Sequence, residues 1–319
     1  MSCIKIKFEN FWPTFDINDN KFLSALRSQH DVNVLGPDSS DKPDILFYSR
    51  CGRPKHFEYD CLKIYYTGEN DVPDFNECDY AISFYDIDIN GRSLRYPLYM
   101  MYEYNLCLNP KSLTDSEALD RGFCSLLMRN HTNCDPMRLK IIDAVESYKP
   151  ITYGGPFRNN IGGNVVEKLP FISKFRFNLA LENTIVEGYV TEKLLEALAA
   201  RTVPIYWGSD AAARDFNPNA FINVNDYDSI DSLIRNLASI DSDNSRYLSY
   251  LRAPIFNSDG PIDFDSRLAD FLCRIADNPR KRIPSYGEAR VLRTRNKYLS
   301  SLWSNSFTRT CSKLLSLLT

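Results

Sequence analysis

The sequence predicts an α/β protein built from two doubly wound domains. At 319 residues the chain is too long for one ordinary core. Its first half alternates short β-branched and aromatic runs with polar or helical stretches, and its second half repeats the alternation in a strand–helix–strand order. Hydrophobic content of 44% and charged content of 25% are those of a folded globule, which excludes a disordered or fibrous chain.

In the first half, residues 4–8, 31–35, 44–49, 62–67 and 80–84 read as strands. Residues 19–29 read as a helix with Phe22, Leu23 and Leu26 on one face. In the second half, 175–181 reads as a strand, 191–200 as a helix and 203–207 as a strand, followed by a strand at 221–224 and a helix at 231–238. That order is the one expected of a nucleotide-binding half-domain. The glycine-rich run from Tyr153 to Arg158 reads as a hinge or cleft loop. The expected domains are therefore 1–150 and 151–279, with 280–319 as a basic tail. The tail holds nine Lys/Arg against one acid, Glu288, a net +8; since the whole chain is at -3, the other 279 residues carry about -11. Leu292, Leu299, Trp303, Phe307, Leu314 and Leu318 recur there at roughly helical spacing, which suits either an anionic membrane surface or packing on the protein itself.

Net charge near neutrality argues against nucleic acid as a partner. Nine cysteines, an odd number with no C-x-x-C pair, fit free thiols in a reducing compartment. Three scattered histidines do not suit a metal site, and four scattered D-x-D triplets in an Asp-rich chain carry no metal signal. The start reads as an alternating strand with no apolar leader, and no stretch approaches the ~20 apolar residues of a membrane span, so a cytoplasmic location is expected.

Several segments could carry chemistry. Thr191 is suited to cap a helix whose first turn holds Glu192 and Lys193; free amides there, with a lysine, would seat a pyrophosphate, and a neighbouring carboxylate would suit ribose hydroxyls. Gly154 and Gly155 would let backbone approach a ligand that Arg158 grips through two parallel hydrogen bonds. Glu69 stands just past a strand, where open α/β sheets bind ligands. Each of these patterns also occurs as ordinary capping, turn or surface chemistry.

Taken in order, the runs Y-T-G-E-N at 66–70, V-P-D-F-N at 72–76 and D-Y-A-I-S-F at 79–84 resemble the bacterial α1,3/4-fucosyltransferases of glycosyltransferase family 10. So do R-G-F at 121–123, G-G-x-x-R-N at 154–159, K-F-R-F-N-L at 174–179, E-N at 182–183 and G-Y-V-T-E-K at 188–193. The runs V-P-I-Y-W-G at 203–208, D-F-N-P at 215–218 and F-I-N-V-N at 221–225 continue the match, which spans roughly residues 60 to 230. The resemblance implies a GT-B fold, two Rossmann-like domains facing across a cleft, with the acceptor on the first and GDP-fucose on the second. It implies inverting transfer of L-fucose to O3 of a Galβ1,4-GlcNAc-type acceptor, making Lewis-type glycans. It makes Glu69 the general base, Arg158 and Lys193 the cations on the departing diphosphate in place of an essential divalent metal, and Asn183, Tyr189 and Glu192 donor contacts. Glu187 lies outside the matched positions, and Tyr153 stands where relatives more often carry a small residue. No heptad-repeat region precedes the tail. Two alternatives stay open: a GT-B transferase using another sugar nucleotide, and a non-catalytic sugar-nucleotide or glycan-binding module.

Overall fold

The computed structural model describes residues 3–102, 104–129, 131–132, 134–284 and 287–303. The chain forms two compact units, one of Met1–Tyr96 with Asp263–Thr319 and one of Pro97–Ile262. Each is built on its own all-parallel sheet, as the GT-B expectation requires.

The first sheet has the order β2-β1-β3-β4-β5-β6, from β1 (Ile4–Glu9), β2 (Val32–Val34), β3 (Ile45–Tyr48), β4 (Leu62–Tyr66), β5 (Tyr80–Ser83) and β6 (Ser93–Arg95). All four residues of β3 are buried, because both faces of a parallel sheet are covered. Helix α1 (Lys21–Arg27) begins at Asn20, whose side chain accepts from the Leu23 N–H, and it buries Phe22, Leu23 and Leu26 as the spacing predicts. Phe22 stacks on Phe47 with ring centroids 5.3 Å apart.

The boundary expected at residue 150 is corrected by hydrogen bonding. In the second unit, β7 (Gly122–Leu126) pairs with both β8 (Ile151–Tyr153) and β9 (Phe175–Leu181), so the segment before 150 belongs to the later sheet. That sheet has the order β11-β10-β9-β7-β8, with β10 (Val203–Trp207) and β11 (Ile222–Asn223) on the other side of β9. Its helices are α2 (Asn105–Leu108), α3 (Asp115–Leu119), α4 (Pro136–Tyr148), α5 (Lys168–Ile172), α6 (Glu192–Ala199), α7 (Ala212–Asp215), α8 (Ile230–Ser242) and α9 (Asn244–Arg252). Its core joins Ile141, Ile142 and Val145 of α4 to Phe177, Ile205, Leu233 and Leu237.

The chain then returns to the first unit. Helix α10 (Phe264–Asp277) lies on α1, and Asp265 accepts from Lys21 Nζ and from the Tyr96 hydroxyl, both at 2.7 Å. The fully buried Asp79 anchors the segment after α10: its carboxylate accepts the N–H groups of Lys63 (2.9 Å), Arg282 (2.5 Å) and Ile283 (2.9 Å). Asp79→Ala would orphan three donors, of which that of the exposed Arg282 can turn to water; at about 1–3 kcal/mol for each of the other two, a loss of roughly 2–6 kcal/mol is expected in urea unfolding, and a change under about 1 kcal/mol would show that the anchor is dispensable.

The last described element is α11 (Glu288–Trp303). Asn296 of this helix donates to Asp74 at 3.1 Å and to Glu77 at 2.9 Å, so part of the tail packs on its own unit. Val291, Tyr298 and Leu302 stay exposed. Phe307, Leu314 and Leu318 of the expected apolar stripe lie outside the described residues. Among the described residues every cysteine is a free thiol, and no helix is long and apolar enough to cross a membrane.

Candidate active site

Because the second sheet is parallel, the loops after its strands gather at one edge. Glu182 follows β9 directly and is fully buried. A carboxylate out of water needs donors, and it has three: the Thr191 N–H at 2.7 Å, the Thr191 hydroxyl at 2.8 Å and Lys193 Nζ at 3.1 Å. Lys193 Nζ also donates to Thr191 Oγ1 at 2.8 Å and lies 3.5 Å from Glu192 Oε1. Burial works to lower the Lys193 pKa, but Glu182 and then Glu192 outweigh it and hold the ammonium well above the ordinary lysine value. Glu192 is balanced the same way: burial opposes its charge, while Lys193 and its own backbone N–H bring it below the usual carboxylate range.

Thr191 occupies the position before α6, as its type suggests, yet its hydroxyl makes no cap bond. It serves Glu182 instead, which leaves the first N–H groups of α6 without a side-chain cap from Thr191. The loop between Glu182 and Thr191 is held by Gly188, at φ +82°, whose N–H donates to Ser209 Oγ at 3.0 Å. Asn183 accepts from Arg138 Nη1 at 2.8 Å, and Tyr189 is buried in the same loop. A Cβ at Gly208, just past β10, would lie 2.7 Å from Glu182 Cγ, so only glycine fits beside the carboxylate.

Arg158 comes from the loop after β8. Gly154 and Gly155 are close-packed there rather than a hinge between domains: a Cβ on Gly155 would meet the Met128 carbonyl at 2.6 Å, and one on Gly154 would meet Leu127 and Phe171 side chains at 2.8 Å. Arg158 itself has φ +50°, a conformation uncommon for non-glycine residues. Its guanidinium is exposed, lies over the Phe157 ring and donates to Asp143 at 2.7 Å. That bond, then one with Tyr153, raises its pKa further. Tyr153 is buried and its hydroxyl donates to Glu146 at 2.5 Å.

Glu69 lies in the first unit, past the end of β4. It is exposed, and its backbone is fixed: its N–H donates to Thr67 Oγ1 at 3.1 Å and its carbonyl accepts from the Asp71 N–H at 2.7 Å. Asp71 is tied down by the Tyr65 hydroxyl at 2.6 Å and Arg50 Nε at 2.9 Å. Among the described residues no hydrogen bond or ion pair reaches the Glu69 carboxylate.

The fold thus gathers Asn183, Tyr189, Glu192 and Lys193 around one loop. Arg158 stands at the same edge, with β7 between β8 and β9, which spaces those two strands about 10 Å apart. Glu182, Arg138 and Asp143 are contributors that motif reading gave no role. A carboxylate directly after an apolar strand, eleven residues ahead of a first-turn lysine, is the signal that would have found Glu182. Glu187 forms a surface ion pair with Arg214 at 3.2 Å.

A model of the alpha-(1,3)-fucosyltransferase FucT N-terminal domain matches residues 6–102, and one of the glycosyltransferase family 10 (fucosyltransferase) C-terminal region matches 121–255. The chain belongs to glycosyltransferase family 10. This family-10 chain is similar to the alpha-(1,3)-fucosyltransferase FucT of Helicobacter pylori, 34% identical over 304 residues that are 83% of this chain and 63% of that one. It therefore spans less than two thirds of that relative's length. It is 35% identical over 119 residues to a human 4-galactosyl-N-acetylglucosaminide 3-alpha-L-fucosyltransferase, covering 36% of this chain and 32% of that one. A solved α1,3-fucosyltransferase with GDP-fucose matches with a TM-score of 0.73 and 32% identity over 87% of this chain and 91% of that one. Two of the four D-x-D triplets of this family-10 chain serve structural ends: Asp243 and Asp263 cap α9 and α10, and Asp241 is buried between Lys149 and Arg176.

Proposed function

We propose that the chain is an inverting α1,3-fucosyltransferase that moves L-fucose from GDP-β-L-fucose to O3 of GlcNAc, or Glc, in a Galβ1,4-GlcNAc-type acceptor, yielding Lewis-type glycans. The observation that carries this reading is Lys193, a charged ammonium held between Glu182, Glu192 and Thr191 at the start of α6. The family's solved relative with GDP-fucose supports GDP-fucose as the donor. In the proposed reaction the acceptor hydroxyl oxygen attacks the fucose anomeric carbon as the bond to the β-phosphate oxygen breaks. Glu69 takes the hydroxyl proton, and GDP departs with the electron pair. Charge grows on the diphosphate, where Lys193 and Arg158 meet it without an essential divalent metal; Arg158 would trade its bond to Asp143 for phosphate oxygens. Asn183, Tyr189 and Glu192 hold the donor, with Glu192 suited to ribose hydroxyls. Calorimetric titration in EDTA tests the donor assignment: GDP-fucose should bind, while GDP-mannose and UDP-sugars bind at least tenfold more weakly. Equal affinities would favour the alternative of another sugar nucleotide.

The acceptor would rest on aromatic rings. Trp12, in the loop after β1, is half-buried, with its ring 5.0 Å from Phe15 and 6.0 Å from Tyr66, three residues before Glu69. Flat rings cover the apolar faces of sugars. Trp12→Ala should raise the acceptor KM about tenfold, equivalent to ~1.4 kcal/mol, leave the donor KM unchanged, and be largely rescued by Trp12→Phe; a change in donor KM instead would remove Trp12 from the acceptor side. For the tail, the exposed Val291, Tyr298 and Leu302 of α11, beside Arg290, Arg293, Arg295 and Lys297, support peripheral contact with an anionic membrane.

A further inference from the structure

The second unit holds a cavity of about 960 Å³ that adjoins Glu192 at Lys168 and Glu196 and extends to the opposite edge of the sheet. Three of its cations stand where strands begin: Arg121 directly before β7, Lys174 directly before β9 and Arg201 two residues before β10. They lie at the amino-terminal edge of the sheet, so the length of β9 alone puts about 20 Å between them and Glu182 at the other edge. Lys111 and Lys168 complete five cations against two carboxylates, Glu167 and Glu196, in a protein whose net charge is -3.

These charges are not balanced from within. Glu196 is taken by Lys168 at 2.7 Å. Arg121 donates to the Arg201 carbonyl, and Arg201 donates to the Leu251 carbonyl at 2.8 Å. Those bonds fix both guanidiniums in place; among the described residues neither has an ion pair with a carboxylate, although Tyr247 and the charge of Glu117 act on Arg121. Arg201 Nε is buried with no hydrogen-bond partner, and Arg201 holds φ +55°. Burial, then the charge of Arg121, lowers the Arg201 pKa, as expected of two neighbouring cations with no anion between them. The Lys111 and Lys174 side chains make no hydrogen bond or ion pair among the described residues. Leu113, Leu169 and Leu195 give the wall an apolar part, and Asn109, Ser112 and Ser173 add polar groups beside them.

We propose that this cavity is a second ligand site, which takes a phosphate-bearing anion: the phosphate on Arg121, Arg201, Lys111 and Lys174, the organic portion against the leucines. Guanidiniums without a carboxylate ion pair in a concave, partly apolar setting are the arrangement that bidentate phosphate recognition uses. The ligand is either a free organic phosphate or the headgroup of an anionic lipid.

The test compares the full chain with a K111E/K174E variant, both substitutions being at side chains without structural bonds. Inorganic pyrophosphate is titrated calorimetrically with GDP saturating, so that the edge bearing Lys193 is filled. In parallel, phosphatidylcholine vesicles with and without phosphatidylglycerol are sedimented with each protein. Pyrophosphate binding that weakens at least tenfold in the variant, with GDP affinity unchanged, establishes a site for soluble phosphates. Pyrophosphate silence with vesicle binding that drops at least tenfold in the variant assigns a lipid headgroup. No binding of either probe, or binding equal in both proteins, overturns the site. Failure of GDP itself to bind would count against the donor reading alone, since the charge-reversal comparison still reads the cavity.

Discussion

Glu69→Gln should lower the kcat of fucosyl transfer by about 10²–10⁴-fold, the range a positioned general base supplies, while GDP affinity stays within twofold. The substitution keeps shape and hydrogen-bonding capacity and removes only the ability to take a proton. Position matters as much as chemistry. The 67–71 turn is fixed by Thr67 and by Asp71, which Tyr65 and Arg50 clamp, while the carboxylate itself is exposed and has no partner within the described residues. A side chain so placed contributes nothing evident to the core, so Glu69→Gln should also unfold at the wild-type urea midpoint. Transfer preserved with GDP affinity lost would assign Glu69 to the donor and leave the base elsewhere.

The second large effect is expected at Lys193. Lys193→Ala should weaken GDP binding and lower kcat together, since one preorganised donor to a developing charge is worth ~3 kcal/mol, or about 10²-fold. The substitution also leaves Glu182 buried without its cation, and breaking one side of a buried pair costs roughly 3–5 kcal/mol of stability. These consequences separate in the double variant. Lys193→Ala with Glu182→Gln should recover most of the lost stability, because a neutral amide can accept from Thr191, yet it should not recover GDP affinity. If the double variant restored binding, Lys193 would be a structural counter-ion and not the seat of the diphosphate.

Much of this architecture is legible in the sequence where patterns are long or strongly apolar. The strands at 175–181 and 203–207 fall at the predicted residues, and the apolar face of α1 is the predicted one. The domain boundary is misplaced in a sequence reading because β7 opens on a glycine and β8 has three residues, too little for period or composition to register. Only the pairing of β7 with β9 shows where they belong. The site follows the same division. Lys193 and Glu192 announce themselves by standing at a helix start, but the Glu182 carboxylate that organises them reads in sequence as one more residue after a strand. The tight packing of Gly154 and Gly155 depends on Met128, Leu127 and Phe171, which are remote in the chain, so a glycine pair that reads as a hinge proves to be a close contact.

Direct displacement assisted by fixed cations is tested by incubating the full chain with GDP-fucose and N-acetyllactosamine in EDTA and reading the product by NMR. An α-linked fucose on O3 of GlcNAc is expected, formed with inversion and insensitive to the chelator. A β-linked product, or turnover that EDTA abolishes and a divalent metal restores, would contradict a displacement driven by Lys193 and Arg158.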